Sequence, residues 1–195
     1  MIYDKNKREI KLDRELSKLD NFVLEFTKFL SDYVIVSGYV SILLGRSRNT
    51  EDVDLLVPKM RLEEFEILWK KIHNAGFECI NISIVSEAFD MLNEHAIRFY
   101  KGIPMPNIEF KMIKNNLEEY SFKNKIKVRM GKEVLYVSPL ELQIAYKLFL
   151  SQGGNEKDLE DAKYIYELFK EKLNKEELLD FVSKLDVKKE FEKIK

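Results

Sequence analysis

Three acidic residues carry the strongest chemical signal in this chain. Asp52 and Asp54 flank Val53, and Leu55, Leu56 and Val57 follow. In a strand, successive side chains alternate faces, so the two carboxylates point to the same side. Two such charges repel, and a strand offers no i, i+4 helical partner to relieve them. Mg²⁺ held by carboxylate oxygens is one physical solution. An exposed strand edge guarded by charge is the other. Ile108-Glu109-Phe110 sets a third carboxylate between two apolar neighbours. If the two strands lie side by side, Asp52, Asp54 and Glu109 form a triad able to hold two Mg²⁺ ions for in-line displacement at phosphorus. Glu109 alone reads equally as part of a solvated strand face.

Ser37-Gly38 breaks an apolar strand just before a short apolar helix. Such a turn can present backbone N–H groups to a phosphate, and Ser37 adds a hydroxyl donor. A single glycine at a strand end is more often just a turn. Arg46 and Arg48 lie in the loop before the aspartates, where a cation can meet a triphosphate. Ordinary loop solvation is the competing reading, stronger for Arg46 than for Arg48.

Hydrophobic periodicity supplies the elements that position these groups. Leu12, Leu16, Leu19, Phe22, Val23, Phe26, Phe29 and Leu30 recur at helical spacing. Strands are expected over 33–36 and 52–57, the second stopped by Pro58. A helix over 61–74 ends at Gly76. The middle reads as a strand over 77–84, a short helix over 86–93 and strands over 96–100 and 108–113. A turn or loop is expected at 103–106. Gly131-Lys132 joins a hairpin of 125–130 and 133–137. Ser138-Pro139-Leu140-Glu141 reads as a capping box with proline at the first helical position. That helix runs to about residue 150, followed by helices over 156–173 and after Asn174. The expected organisation is an α/β part over 1–138 and a helical subdomain over 139–195.

Composition narrows the function classes. In 195 residues, 33 Lys and Arg face 34 Asp and Glu, for a net charge of -1. That excludes a globally basic nucleic-acid binder but not a local basic patch. One such stretch follows Glu109: Lys111, Lys114, Lys123, Lys125, Lys127, Arg129 and Lys132 outweigh Glu118 and Glu119. It can hold RNA phosphates or protect an edge hairpin. The lone Cys79 excludes an internal disulfide framework and a cysteine-rich zinc site, and suits a reducing compartment. No apolar run approaches the ~20 residues of a membrane helix, so a cytoplasmic protein with no membrane partner is expected.

Val36-Ser37-Gly38, the run Arg46 to Thr50 and Asp52-Val53-Asp54-Leu55 resemble the signature of the DNA polymerase beta superfamily of nucleotidyltransferases. Ser37-Gly38 stands in inverse order to the commoner Gly-Ser or Gly-Gly. Residues 44–54 are similar to the abortive-infection (AbiEii-like) type, in which a Gly, an Arg and a Thr precede the paired aspartates. Ser138-Pro139-Leu140-Glu141, Lys147, Lys157-Asp158 and Asp161 resemble that type's helical tail. The resemblance implies a polymerase-beta-like α/β (α+β) fold, with a small mixed sheet and a C-terminal helical subdomain. It implies that Asp52, Asp54 and Glu109 bind Mg²⁺, or Mn²⁺. It also implies that Ser37, Gly38, Arg48, Thr50 and Lys147 serve the nucleotide, with Lys147 in contact with it or in catalysis.

Several of these residues have structural readings of their own. Lys147, on an otherwise apolar helix, can simply snorkel to water. Lys157 and Asp161 can form a helix pair, and Asp158 can favour a helix N-terminus. The expected reaction is transfer of a nucleoside monophosphate from an NTP to an acceptor hydroxyl. By analogy with toxins of toxin–antitoxin pairs, the acceptor is a tRNA 3′ end. The rivals are nucleotidylylation of a cognate toxin or antitoxin protein, and a non-catalytic nucleotide-binding module.

Overall fold

The apolar run behind Asp52 lies in the middle of a mixed sheet. In the computed structural model, which describes residues 1–80 and 82–195, the chain opens with β1 (Ile2–Asp4) and β2 (Glu9–Leu12). Then follow α1 (Lys18–Thr27), β3 (Val34–Val36), α2 (Gly38–Leu43), β4 (Asp52–Val57) and α3 (Leu62–Asn74). β5 (Glu78–Cys79), α4 (Val85–Glu94), β6 (Ile97–Lys101) and β7 (Ile103–Met112) come next. They are followed by α5 (Asn116–Lys123), β8 (Ile126–Met130) and β9 (Glu133–Val137). The chain closes with α6 (Leu140–Ser151), α7 (Glu156–Phe169), α8 (Lys175–Lys184) and α9 (Lys188–Glu192). Among the described residues, nine strands form one sheet in the order β1-β2-β8-β9-β3-β4-β7-β6-β5. β4 and β7 are parallel neighbours at its centre, and β3 runs antiparallel to β4.

Alternation sorts this sheet into two chemically distinct faces. Val53, Leu55, Ile108, Phe110 and Phe99 point to one side and are fully buried. There Phe26 of α1 meets Phe77, Phe99 and Phe110 at ring-centroid distances of 5.2–6.1 Å. Trp69 of α3 meets Phe99 at 5.7 Å. Such aromatic burial dominates core energetics. The other face is left to the polar residues of β4 and β7. The apolar core continues across residue 138 into Leu140, Ile144 and Leu148 of α6, so both parts of the chain share it. No helix among the described residues is long and apolar enough to cross a membrane.

The departures from the sequence reading have local causes. Leu12 lies in β2, not in the first helix, because Ile10 and Leu12 alternate inward beside β8. Helix α1 starts only after Ser17, whose hydroxyl accepts the Asp20 N–H while Asp20 accepts the Ser17 N–H. The expected turn at 103–106 is the first stretch of β7. It precedes Asn107, where pairing with β4 begins, so its prolines remove no N–H needed by that strand. Only Glu78–Cys79 of the strand expected over 77–84 forms, and residue 81 lies outside the described residues. Helix α5 was not foreseen; Asn115 and Glu118 cap it reciprocally. The expected capping box at 138–141 is not made. Ser138 Oγ instead donates to Gln143, and Glu141 accepts the Asn174 N–H at 2.7 Å ahead of α8.

One buried carboxylate fixes the approach of α1 to α2. Asp20 accepts two Arg14 hydrogen bonds at 2.6 and 3.1 Å and one from the Tyr39 hydroxyl at 2.6 Å. Burial works against its charge, but these donors and Ser17 hold it down from 3.8 to about 2. Its folded value lies below its unfolded one, so its contribution is complete above the unfolded value. Stability is therefore lost as pH falls from ~4 towards 2, by ~2 kcal/mol. Acid titration of unfolding should show this slope in the native chain and a shallower one in Asp20→Asn.

Candidate active site

The register of two parallel strands assembles the carboxylates. Asp54 on β4 lies opposite Glu109 on β7, and Asp52 opposite Asn107. Adjacent strands are ~4.8 Å apart, so Glu109 stands beside Asp54. On the far side of β7, Arg98 of β6 pairs with Glu109 in register. Lys111, two residues beyond Glu109, reaches the same face.

Two cations already sit within this acidic row. The Lys111 ammonium lies 2.8 Å from Asp54 Oδ1 and 2.5 Å from Glu109 Oε1. Arg98 donates to Glu109 Oε2 at 2.7 Å. Burial opposes the charge of Lys111, but Asp54 and Glu109 outweigh it and raise its pKa well above the lysine range. Burial likewise opposes the ionisation of Glu109, and Lys111 with Arg98 reverses this, holding it below the usual range. Asp52 is different: no hydrogen bond or ion pair reaches its carboxylate among the described residues. Burial, followed by the charges of Asp54 and Glu109, pushes its pKa up.

The expected three-carboxylate cage is therefore not standing ready. No three His, Cys, Asp or Glu side chains among the described residues are grouped to hold a metal ion. Lys111 takes the central place between Asp54 and Glu109, and Asp52 does not join them. The donor set still fits Mg²⁺ or Mn²⁺. The oxygens are hard, two carboxylates converge on one cationic centre, and the third has no hydrogen bond or ion pair of its own among the described residues. Lys111 and Arg98 were not foreseen as site residues. The period-two spacing Glu109-x-Lys111 was the available signal, hidden in the lysine-rich stretch.

The turn after β3 brings Ser37 and Gly38 to this row, since Val36 pairs with Asp54. Ser37 adopts φ 63°, ψ -136°, a conformation that L side chains rarely take. Gln143 of α6 pins it: Oε1 accepts the Ser37 N–H at 3.1 Å, and Nε2 donates to the Ser37 carbonyl at 2.6 Å. Ser138 Oγ donates to the same Oε1 at 2.8 Å, fixing the amide. The Ser37 hydroxyl makes no hydrogen bond among the described residues, so it is available to a ligand. Ser37→Gly should relieve the backbone and raise stability by ~0.5–1 kcal/mol, read by denaturant unfolding.

Beneath the turn lies a buried ionic network. The Arg48 guanidinium lies so close to Gly38 that any Cβ there would collide with it. Arg48 donates to Asp161 of α7 at 2.9 and 3.1 Å. Arg46 pairs with the same carboxylate and donates to the Lys157 carbonyl at 3.0 Å. Lys147 reaches Asp161 at 3.0 Å and also pairs with Asp158. Three cations thus share two carboxylates, leaving one positive charge in excess near Gly38. Arg46 is not a solvated loop residue. Lys147, only 2% exposed, neither snorkels to water nor lines the neighbouring cavity. Thr50 is also committed: its hydroxyl donates to the Asp52 carbonyl at 2.8 Å and shapes the entrance to β4.

A cavity of about 340 Å³ opens between the carboxylate row and helices α5 and α6. Ser37, Asp54, Lys111 and Glu118 are among its polar lining residues, and Leu56, Leu142 and Tyr146 among its apolar ones. Of the basic residues in the lysine-rich stretch, only Lys111 lines it among the described residues. Strand β8 is interior to the sheet rather than an edge, with β2 and β9 on either side. Lys123 pairs with Glu119, Lys125 with Asp32, and Lys127 and Arg129 with Glu9. The stretch is therefore largely compensated and is not a free basic surface.

Solved structures share this architecture. An antigenic nucleotidyltransferase-like protein from Paracoccidioides brasiliensis is 17% identical with a TM-score of 0.54, covering 84% of each chain. The antibiotic-resistance factor ANT(2'')-Ia in solution is 12% identical with a TM-score of 0.54, covering 89% of this chain and 96% of that one. ANT(2'')-Ia in complex with adenylyl-2''-tobramycin is 11% identical with a TM-score of 0.51, covering 86% and 95%. No protein-family model and no curated protein matches the sequence. The chain shares the mixed α/β fold of these nucleotidyltransferase structures.

Proposed function

We propose that the protein is a nucleotidyltransferase that moves a nucleoside monophosphate from an NTP to an acceptor hydroxyl. The observation that carries this reading is the register of Asp54 against Glu109, beside a turn whose backbone Gln143 holds in place. The acceptor oxygen forms a bond to the α-phosphorus, the bond to the bridging oxygen breaks, and pyrophosphate leaves with that electron pair. The acceptor proton passes to a carboxylate of the row. Asp52, Asp54 and Glu109 would hold Mg²⁺ or Mn²⁺, which when bound lowers the pKa of the attacking oxygen and offsets charge on the leaving group. Ser37 offers its free hydroxyl to the triphosphate. Arg48 supplies positive charge beside Gly38, and Lys147 and Arg46 keep the surrounding network cationic. Thr50 orients Asp52 through its backbone. The cavity beside Asp54 accepts the nucleoside, with Tyr146 as its aromatic wall.

For the acceptor we propose a tRNA 3′ end, on the AbiEii-like wording of residues 44–54 and of the helical tail. The test is incubation with Mg²⁺ and α-labelled NTPs, offering total tRNA and total cell protein as acceptors. Label on tRNA supports the full reading. Label on protein keeps the transfer chemistry and overturns the tRNA acceptor. Absence of label from both, with NTP still bound, replaces the enzyme by a binding module.

A further inference from the structure

We propose that Lys111 is a tethered cation occupying the place a divalent metal takes between Asp54 and Glu109, so that metal binds there only as this ammonium withdraws. The inference rests on reading the row as a metal-dependent transfer site and adds to it the regulation of metal access. The Lys111 ammonium contacts Asp54 Oδ1 and Glu109 Oε1 at 2.8 and 2.5 Å, so it already engages the two carboxylates that would hold a divalent ion. An ammonium and a divalent ion at that position repel at contact distance, so the two cannot share it.

Arg98 does not compete in the same way. It reaches the opposite Glu109 oxygen from the outer side and is half-exposed. Lys111 also has somewhere to go. Its side chain lines the cavity beside Asp54, and Glu118 lines that cavity from α5. Glu118 Oε2 accepts the Lys114 and Asn115 N–H groups, and its charge can receive the withdrawn ammonium. A flexible four-carbon stem allows this movement. A bound triphosphate would offer the same ammonium a stronger partner. Metal binding is then weak without nucleotide and tightens when nucleotide is present.

The test is a Mn²⁺ titration without nucleotide, following the free ion by electron paramagnetic resonance. It compares the native protein, Lys111→Met, Lys111→Gln and each of these Lys111 variants with Asp54→Asn added. Lys111→Gln keeps donors towards both carboxylates and covers the case in which Lys111→Met fails to fold. Both Lys111 variants should bind Mn²⁺ at least tenfold more tightly than the native chain, and adding Asp54→Asn should remove that gain. If the folded Lys111 variants bind no more tightly, the proposal is overturned while the transfer site stands. If adding Asp54→Asn to a tight-binding Lys111 variant leaves its Mn²⁺ affinity unchanged, the ion lies elsewhere. Both the site reading and this proposal then fall.

Discussion

On the proposed function, Asp54→Asn is expected to lower the turnover of nucleotidyl transfer by ~10³-fold or more, equivalent to ~4 kcal/mol of transition-state stabilisation. The effect is large because Asp54 is where the site's parts meet. It lies in register with Glu109, beside Val36 at the base of the Ser37-Gly38 turn, and it lines the cavity. The amide is nearly isosteric but lacks the charge a hard cation requires. The fold should survive, since Lys111 keeps Glu109 as a partner at 2.5 Å. A single-turnover assay beside a thermal melt separates the two effects. A variant that keeps its melting temperature and loses transfer supports the assignment. One that keeps both removes Asp54 from the chemistry.

Asp161→Asn should be strongly damaging to stability. Its carboxylate is fully buried and accepts from Arg46, Arg48 and Lys147 together. Neutralising it leaves Arg46 and Arg48 without a carboxylate partner among the described residues and Lys147 with Asp158 alone. Breaking a buried ionic cluster by removing one partner costs ~3–5 kcal/mol, which lowers the melting temperature of a chain this size by ~6–20 °C. The loss reaches the site through Arg48, whose guanidinium packs against Gly38. The KM for NTP should therefore rise even below the melting temperature. Glu167→Gln is the control. It removes an exposed i, i+3 pair with Lys170, and such pairs contribute ~0–1 kcal/mol. Equal losses from both variants would show that the buried network has no special weight.

The geometry of the candidate site was legible in the sequence where it depends on strand alternation, and obscure where it depends on contacts between distant residues. Asp52, Asp54 and Glu109 could be read because period two aims them and apolar neighbours bury the opposite face. Gln143 could not, because its partner Ser37 lies 106 positions away. Arg48 and Asp161 are 113 positions apart, and only folding shows that Arg46 and Lys147 share that carboxylate. Lys111 was visible, but within a run of lysines its alternation with Glu109 carried less weight than the run itself. At the N-terminus the two-residue alternation of Ile10 and Leu12 was masked by the stronger helical spacing from Leu16 onward. Ser138 and Glu141 had the right types for a capping box, yet tertiary partners Gln143 and Asn174 claimed both side chains.

The central claim is that this carboxylate row transfers a nucleoside monophosphate. Its most direct test supplies NTP labelled either at the α or at the γ phosphorus, with tRNA and total protein as acceptors, and follows label and pyrophosphate together. The account predicts that only α-label reaches an acceptor, that one pyrophosphate appears per transfer, and that Asp54→Asn stops both. Transfer of γ-label, release of orthophosphate instead of pyrophosphate, or undiminished transfer by Asp54→Asn would contradict it.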